Sequence, residues 1–469
     1  MGLKECQMST LIGSLLKEHA GEKFRLHQEH LNTQMVRVLR TIGFDRHYTS
    51  ARGPYLFDDQ DRCYLDLLSG WGTFALGRNH PTVNDALREV AQSDLPNLAQ
   101  MDVSLLSGLL GKRLLATFPD SGLEKVFFAN SGTEAVEGAM KFARCATGRG
   151  KIIYCDHAFH GLTFGSLSLN GEQPFREGFG PLLPGCESVP FNDLEALERA
   201  LQNGDAAAFV VEPIQGKGVY LPDDGYLREA ARLCRKHGAL LVADEVQTGL
   251  GRTGAMWAMQ HWDVAPDLLC CAKALSGGQV PVGAILCRKS VFNAVFNRMD
   301  RAVVHGSTFA QNNMAMAAGI ATLEVLRQEG LIAHAAAMGD ALMRDLEPLK
   351  WRHDFVKDIR GKGLMLALEF GAPKNLKLKA AWKLLERTDE SLFSQMLLIP
   401  LFEKHHILAQ VAGHGVHIIK LLPPLVIDDS DREWIVSAFD QVIDDCHRVP
   451  GSLWNLGTSL AGHALRGSR

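Results

Sequence analysis

Two charged residues follow apolar stretches of the chain, where folding could bring them together. The run 239–243 is small and apolar, and Asp244 and Glu245 come directly after it. An unbroken run of this kind is typical of a strand covered on both faces, so we expect a buried strand that delivers a carboxylate. Lys273 lies in similarly small and apolar surroundings. Because burial favours the neutral amine, this lysine is a candidate nucleophile.

Each of these features alone also has an ordinary explanation. A lysine in apolar surroundings often keeps its ammonium group at the surface, and an aspartate after a strand often caps a helix. Gly249, Gly251 and Gly254 also have the spacing of a dinucleotide-binding turn. In such a turn the glycines directly follow the strand, whereas here two acids and a glutamine stand between. A nicotinamide-dependent dehydrogenase is therefore a remote alternative.

Taken together, the spacing resembles the class III aminotransferases, the ornithine, acetylornithine and 4-aminobutyrate type of pyridoxal phosphate enzyme. Their pattern is matched by Asp244–Gly254, Pro266–Asp267 and Ala272–Gly278. The resemblance implies that Lys273 forms the Schiff base with pyridoxal 5'-phosphate (PLP) and that Asp244 pairs with the pyridinium nitrogen. A carboxylate there keeps the ring protonated, and a protonated ring stabilises negative charge on a substrate carbon.

The same resemblance implies further contacts to the cofactor. Val246 and Gln247 would lie against the ring and its phenolic oxygen, and Phe159 would stack on the ring with His160 beside it. The turn 131–133 precedes a helical pattern, where backbone N–H groups can bind a phosphate, although an isolated turn of this type is more often a plain cap. The candidate cofactor-binding residues are Ser131, Gly132, Thr133, Phe159, His160, Glu212, Asp244, Val246, Gln247, Lys273 and Thr308.

Thr308 carries an expectation about assembly. In the family this threonine reaches the phosphate held by the neighbouring subunit, so the resemblance implies a homodimer with shared active sites. The family usually continues with Gly-Gly-Asn-Pro, whereas this chain has Ala310–Asn313. His157 and His160 have the spacing of two metal ligands, but because no third ligand stands nearby in the sequence we predict no metal.

Strand and helix patterns alternate and predict an α/β fold. A strand over 206–212, a helix over Tyr226–His237 and a strand over 239–245 form one parallel unit. Several such units predict a mostly parallel central sheet wrapped by helices, with the site at the carboxyl ends of the strands. The resemblance names this fold-type I, with a smaller α+β domain. The expected division is 1–65 (N-terminal arm and part of the small domain), 66–325 (large PLP-binding domain), 326–450 (small C-terminal domain) and 451–469 (tail).

The composition limits the partners and the compartment. With 46% hydrophobic and 22% charged residues and a net charge of −4, the chain has no excess of basic residues for nucleic acid or anionic membranes. No stretch is apolar enough for a membrane span or a signal peptide. The ten cysteines are scattered and form no Cys-x-x-Cys pair. We expect a cytoplasmic enzyme that acts on small molecules.

Three positions depart from the family in ways that concern the substrate. Leu162 stands where the ornithine and 4-aminobutyrate enzymes have an arginine that contacts the substrate carboxylate. Lys420 replaces a second arginine, and Lys217 replaces the glutamate that can pair with it. Lysine lacks the planar fork that grips a carboxylate at two points. We therefore expect a transaminase that moves an amino group from an amine or amino acid donor to a carbonyl acceptor, with one substrate lacking a carboxylate near the cofactor.

The same residues also permit other interpretations of the substrate. Leu162 could point into the core while Arg78 binds the carboxylate, as in an ornithine- or acetylornithine-like amino acid aminotransferase. An aminomutase or a decarboxylase on the same fold would also suit these residues. The segments 159–170 and 446–457 are similar to aminotransferases of hopanoid and other secondary pathways, which favours an uncharged or lipid-like substrate.

Overall fold

The computed structural model describes residues 11–99, 101–386, 392–413, 416–447, 451 and 454. Its strands fall into three sheets, and the largest has seven strands. In chain order the strands are β1 (Tyr48–Arg52), β2 (Tyr55–Asp58), β3 (Cys63–Asp66), β4 (Lys125–Ala129), β5 (Lys151–Cys155), β6 (Cys186–Val189), β7 (Ala206–Val211), β8 (Leu240–Asp244), β9 (Leu268–Cys271), β10 (Gly283–Cys287), β11 (Val356–Lys362), β12 (Met365–Phe370), β13 (Ile407–Leu408), β14 (Gln410–Val411) and β15 (Ile418–Leu421).

Helices connect and cover these strands, and several begin at a side-chain cap. They are α1 (Lys23–His30), α2 (Thr33–Thr41), α3 (Ser69–Gly72), α4 (Pro81–Gln92), α5 (Leu105–Ala116), α6 (Gly132–Thr147), α7 (Phe164–Leu167), α8 (Gln173–Arg176), α9 (Leu194–Leu201), α10 (Tyr226–His237), α11 (Lys289–Val295), α12 (Asn313–Gln328), α13 (Leu331–Leu346), α14 (Pro348–Arg352), α15 (Leu376–Glu386), α16 (Leu392–Glu403) and α17 (Asp429–Asp445). Within the described ranges, no helix is both long enough and apolar enough to cross a bilayer.

The seven-stranded sheet has the order β4-β10-β9-β8-β7-β5-β6. Neighbours from β9 to β6 are parallel, whereas β10 runs antiparallel to both β9 and β4. The predicted strand–helix–strand unit is present as β7, α10 and β8, and β7 is buried along its whole length. The prediction of an α/β fold with a mostly parallel sheet is confirmed.

Apolar side chains cover both faces of this sheet. On β9 and β10 alternate residues belong to two different buried clusters, with Leu269 and Leu286 in one and Leu268 and Ile285 in the other. A strand sends successive side chains to opposite faces, so this alternation shows that each face is packed. The strand ends are therefore the part of the sheet that is open to a ligand.

The two smaller sheets involve the ends of the chain. Strands β1 to β3 form an antiparallel ladder, and β13 pairs with β3 in parallel. The turn near Asp59–Asp61 connects β2 to β3. Strands β11, β12, β15 and β14 form the third sheet. The expected domain boundaries stay a prediction, and most of the expected tail 451–469 lies outside the described residues.

Candidate active site

Residues that follow four strands of the large sheet meet in one cavity of about 920 Å³. Ser131 follows β4, Glu212 follows β7, Asp244 ends β8 and Lys273 follows β9. All four line the cavity. The carboxyl ends of parallel strands meet at one edge of a sheet, which is why residues so far apart in the sequence converge here. The cavity thus lies at the strand ends, where the site is predicted.

Asp244 and His160 form a buried pair. Their side chains are 4% and 0% exposed, and His160 Nδ1 lies 2.7 Å from Asp244 Oδ2. The other carboxylate oxygen, Oδ1, accepts from the Val246 N–H at 3.0 Å. Burial opposes protonation of His160, but the hydrogen bond and the charge of Asp244 outweigh it and raise the pKa of the imidazole. The pair therefore favours an imidazolium beside a carboxylate that is held in one orientation.

Lys273 is held in an unusual backbone conformation. Its φ is 38°, in the left-handed region that non-glycine residues seldom occupy. Such conformations concentrate at functional sites, where the surrounding structure maintains them. Burial lowers the pKa of the Lys273 ammonium, against the charges of Asp244 and Glu212. Because Lys273 also lines the cavity, its amine is within reach of a ligand there.

Glu212 organises the backbone around Phe159. Its Oε1 accepts from the Phe159 N–H at 2.9 Å and its Oε2 from the Gly216 N–H at 2.8 Å. Burial raises the pKa of this carboxyl, and the charge of His160 opposes the shift. We name Lys273, Asp244, His160 and Glu212 the strand-end cluster. It combines an amine, an imidazole and two acids within one buried region.

The turn at Ser131 is compatible with both roles that the sequence left open, the capping of a helix and the binding of a phosphate. Ser131 is extended, and its Oγ accepts from the Glu134 N–H at 3.2 Å, as a helix cap does. The same turn lines the cavity at the start of α6, where N–H groups without helical partners favour an anion. The Thr133 hydroxyl lies 2.7 Å from the Thr163 hydroxyl. Capping and anion binding are thus compatible at this turn.

Val246 and Gln247 also line the cavity. Gln247 Nε2 donates to the Trp71 carbonyl at 3.0 Å, and Gln247 Oε1 accepts from Lys420 Nζ at 3.3 Å. The amide therefore connects the segment after β8 to β15 and to the turn of α3. Because both ends of the amide are bonded, its orientation is fixed.

Lys420 lies on β15 and is buried. Its Nζ donates to the Gly216 carbonyl at 2.6 Å as well as to Gln247. Burial, and next the charge of Lys273, lower the pKa of Lys420 to about 7. Its amine is therefore divided between the charged and neutral forms near neutral pH.

Lys217 forms an ion pair with Glu172 and lies over two phenylalanine rings. Its Nζ is 3.8 Å from the ring centroid of Phe175 and 5.5 Å from that of Phe159. Burial lowers the pKa of this ammonium, and Glu172 opposes the shift. We name Lys217, Lys420 and Phe175 the lysine wall, since all three line the cavity.

Leu162 and Trp71 line the cavity with their side chains largely exposed, at 53% and 59%. Leu162 therefore does not point into the core. Arg78, the candidate for binding the carboxylate in its place, pairs with Asp66 at 2.7 Å and stacks on Phe74 at 4.0 Å. Arg78 is absent from the described residues that line the cavity, so the hypothesis that it replaces Leu162 is not supported.

Some of the predicted site residues line the cavity and others do not. Thr308 is exposed and is not among the described residues that line the cavity. Apart from Arg78, the remaining candidates for cofactor and substrate do line it. The glycines Gly249, Gly251 and Gly254 lie in successive turns rather than before a helix, so they lack the helix N-terminus that a dinucleotide turn requires.

Sequence reasoning missed two contributors to the site. Glu172 holds Lys217, and Phe175 forms a T-shaped pair with Phe159 at 5.6 Å. Neither residue belongs to a recognisable motif, and only folding brings Phe175 to the cavity and Glu172 to Lys217. The segments Gln279–Val282 and Gln410–Gly413 also line the cavity without any signal in the sequence.

Comparisons with known proteins agree with this geometry. The family described as Aminotransferase class-III matches residues 41–443. The aminotransferase PigE of Serratia sp. (strain ATCC 39006) is 35% identical over 453 residues, which cover 90% of this chain and 53% of PigE. The chain thus spans about half the length of that curated relative.

Two solved structures have the same fold as this chain. An ornithine aminotransferase from Toxoplasma gondii is 30% identical with a TM-score of 0.76, and the match covers 86% of this chain and 91% of that one. An amine transaminase from an uncultivated Pseudomonas species, in its PLP-bound form, is 27% identical with a TM-score of 0.75, covering 86% and 95%. One relative is named for an amino acid and the other for an amine.

Proposed function

The chain belongs to the class III aminotransferases, whose cofactor is PLP, and from that premise we propose that it is a transaminase with one substrate that lacks a carboxylate near the cofactor. The donor is an amine or an amino acid, and the acceptor is a carbonyl compound. The observation that carries the proposal is the cavity lining, whose described residues include lysines but no arginine and also include the exposed Leu162.

The described residues fit PLP. His160 Nε2 is buried with no hydrogen-bond partner within the described residues, so a group bound beside it could supply one. The turn at Ser131 offers N–H groups to a phosphate. Lys273, Asp244 and the Ser131 turn would hold the cofactor, while Phe159, Val246 and Gln247 would enclose it. When bound, PLP supplies a protonated ring that takes up the negative charge left on a substrate carbon.

The strand-end cluster can perform the proton transfers. Asp244 would keep a proton at the ring nitrogen, because its buried carboxylate favours a positive partner. His160 fixes the orientation of Asp244, because its Nδ1 lies 2.7 Å from Asp244 Oδ2. Lys273 Nζ would take the proton from the substrate carbon and return it in the reverse direction. Its lowered pKa makes the neutral, basic amine more available.

The lysine wall supports the proposed substrate class. Of the described lysines that line the cavity, Lys273 would hold the cofactor and Lys217 is paired with Glu172. Lys420 is left to bind the carboxylate of an ordinary amino acid such as glutamate. The apolar side chains of Leu162 and Trp71 would contact the uncharged arm of the other substrate, an amine, aldehyde or ketone.

Transamination is tested with purified protein. The protein should be yellow, and borohydride should bleach it and leave the mass of the reduced cofactor on Lys273. Each half-reaction is then followed as a change in cofactor absorbance with a panel of donors. Rapid turnover of ornithine, acetylornithine and 4-aminobutyrate, with aliphatic amines ignored, would instead favour an amino acid aminotransferase.

Kinetics distinguish a transaminase from an aminomutase or a decarboxylase. A transaminase exchanges two substrates in ping-pong order, whereas an aminomutase or a decarboxylase needs one substrate. Parallel lines in double-reciprocal plots support transamination. A colourless protein that binds a nicotinamide cofactor would overturn the proposal altogether.

We also propose a cytoplasmic homodimer with shared sites. Thr308 and Phe309 are exposed, and Val303 is 90% exposed, so this segment offers an apolar surface to a second copy. The nine described cysteines are free, as in a reducing compartment. Mixing an inactive Lys273→Ala chain with an inactive Thr308→Ala chain should restore part of the activity. A fully active monomer on dilution would contradict the dimer.

A further inference from the structure

Three chain segments meet at Lys217, at one end of the cavity. Lys217 stands in the turn after β7, and its Nζ forms an ion pair with Glu172. Their side chains are 13% and 11% exposed, so the pair is largely shielded from water. A Cβ atom added at Gly413 would lie 3.1 Å from Glu172 Oε1 and 3.9 Å from Lys217 Cδ, so this third segment also packs against the pair.

The backbone on the Glu172 side is firmly held. The Gly171 N–H donates to the Ala158 carbonyl at 2.9 Å, and a Cβ atom at Gly171 would lie 2.2 Å from the His157 nitrogen. The chain therefore approaches the segment after β5 more closely than any side chain would permit. Glu172 is consequently presented from a fixed backbone position.

The backbone on the Lys217 side is equally constrained. The Gly216 N–H donates to Glu212 at 2.8 Å, and the Gly216 carbonyl accepts from Lys420 at 2.6 Å. Arg360 donates to the Gly218 carbonyl at 2.6 Å. Both partners of the ion pair thus extend from backbone that is anchored independently of the pair.

The surface that Lys217 shows to the cavity is aromatic and charge-balanced. Its ammonium lies against the faces of Phe175 and Phe159, while Glu172 supplies the countercharge. Phe175 and Phe159 line the cavity, but Glu172 is not among the described lining residues. A ligand arm at this end therefore meets rings and an ammonium that is already paired with a carboxylate.

Lys420 provides the contrast within the same cavity. The hydrogen bonds of its Nζ go to a backbone carbonyl and to an amide oxygen, and none of them goes to a carboxylate of a described residue. A carboxylate ligand would therefore find at Lys420 an amine with no carboxylate hydrogen-bond partner among the described residues, and at Lys217 an amine that is already paired with one. The two lysines are similar in type but differ in what they can offer an anion.

We propose that Glu172 is a specificity-determining residue, which neutralises Lys217 so that this end of the cavity accepts an uncharged substrate arm and disfavours an arm that ends in a carboxylate. The inference rests on the proposed function, since it assigns one arm of the substrate to this end. The inference names Glu172 as the residue that produces the selectivity. This selectivity arises from charge rather than from shape.

The test uses the cofactor-loaded protein and two non-reacting ligands, pentanoate and glutarate. They have the same number of carbons and differ in a second carboxylate. Dissociation constants are measured by titrating the cofactor absorbance. In Glu172→Gln, Lys217 loses its countercharge, and we expect glutarate to bind roughly tenfold more tightly relative to pentanoate than in the wild-type protein.

The matched control is the double variant Glu172→Gln/Lys217→Met. Because the freed ammonium is then absent, the gain for glutarate should disappear. An unchanged preference in Glu172→Gln would overturn the proposal, as would a gain that survives in the double variant. If Glu172→Gln fails to fold, as judged by its melting temperature and cofactor spectrum, Glu172→Met makes the same test.

The proposed function is judged separately by the half-reaction of the wild-type protein with pentylamine and with 5-aminopentanoate. If neither donor changes the cofactor absorbance but Glu172→Gln gains glutarate affinity, the charge-masking role stands and the proposed substrate class fails. If wild-type protein prefers pentylamine and Glu172→Gln shows no gain, the substrate class stands and the role of Glu172 fails.

Discussion

The strand-end cluster and the lysine wall occupy one cavity but are built in different ways. Asp244, Glu212 and Lys273 stand at or just after the ends of adjacent strands, so the sheet itself fixes their separation. Lys217, Lys420 and Phe175 come from a turn, a strand of another sheet and a short helix. Under the proposed function, proton transfer falls to the strand-end cluster and substrate choice to the lysine wall, which is assembled from separate segments. Substitutions in the cluster should therefore affect mainly turnover, and substitutions in the wall mainly the choice of substrate.

Removal of the lysine amine should have the largest effect. In Lys273→Ala the group that would carry the proton is lost, and we expect kcat to fall by roughly 10³-fold or more. Because the charge of Lys273 lowers the pKa of Lys420, its removal should also make Lys420 more cationic and strengthen glutarate binding at the lysine wall. Steady-state kinetics and a glutarate titration check the two statements. Substantial residual turnover would show that proton transfer does not depend on the strand-end cluster.

We expect Asp244→Asn to lower kcat less than Lys273→Ala does, but still by a large factor. The amide cannot keep a proton on the ring nitrogen, and it also removes the charge that favours the His160 imidazolium. We expect kcat to fall about 100-fold or more, with KM changed much less. His160→Gln, which leaves the carboxylate in place, is the matched control and should lose less. Equal losses would mean that His160 does more than orient Asp244.

Lys420 should make carboxylate binding depend on pH. With a pKa of about 7, its ammonium is charged below neutral pH and increasingly neutral above it. Affinity for a carboxylate substrate should therefore weaken by about tenfold from about pH 6 to about pH 8, as for a single titrating group. Lys420→Arg stays charged over this range and should remove the dependence. A matching pH profile for an uncharged amine would assign the titration to another group.

We expect Arg78→Lys to have the smallest effect of these substitutions on the kinetic constants. Its guanidinium is paired with Asp66 and stacked on Phe74, outside the cavity lining. Arg78→Lys keeps the charge, so KM for both substrate classes should stay within about twofold of wild type. A selective rise in KM for the carboxylate substrate would show that Arg78 takes part in binding that substrate.

The strand-end cluster was largely predictable because its signals are local. A buried strand followed by an acid, and a lysine among small residues, stand in continuous stretches of sequence whose spacing matches a known family. The α/β sheet followed from the same runs. Leu162 lines the cavity, and the motif before it indicates where its loop lies.

The lysine wall could be predicted only in part. The sequence places a lysine at 217 where the family has an acid, but it contains no signal that Glu172, 45 residues away, would supply the missing charge. The two T-shaped rings are likewise brought together by folding alone. Such pairs depend on how loops pack, and no periodicity encodes them. The similarity of the segment 446–457 to secondary-pathway enzymes falls mostly outside the described residues.

The single antiparallel strand of the large sheet has a consequence for the order in which the chain folds. The edge strand β4 pairs with β10, which is synthesised long after it. A Cβ atom at Gly283, the first residue of β10, would lie 2.3 Å from the Ser131 carbonyl oxygen, so β10 packs directly against the turn at Ser131. During translation this turn lacks that backbone neighbour until residues 283–287 have left the ribosome. The turn is therefore completed late in synthesis, and a chain that stops before β10 should not acquire the colour of the bound cofactor.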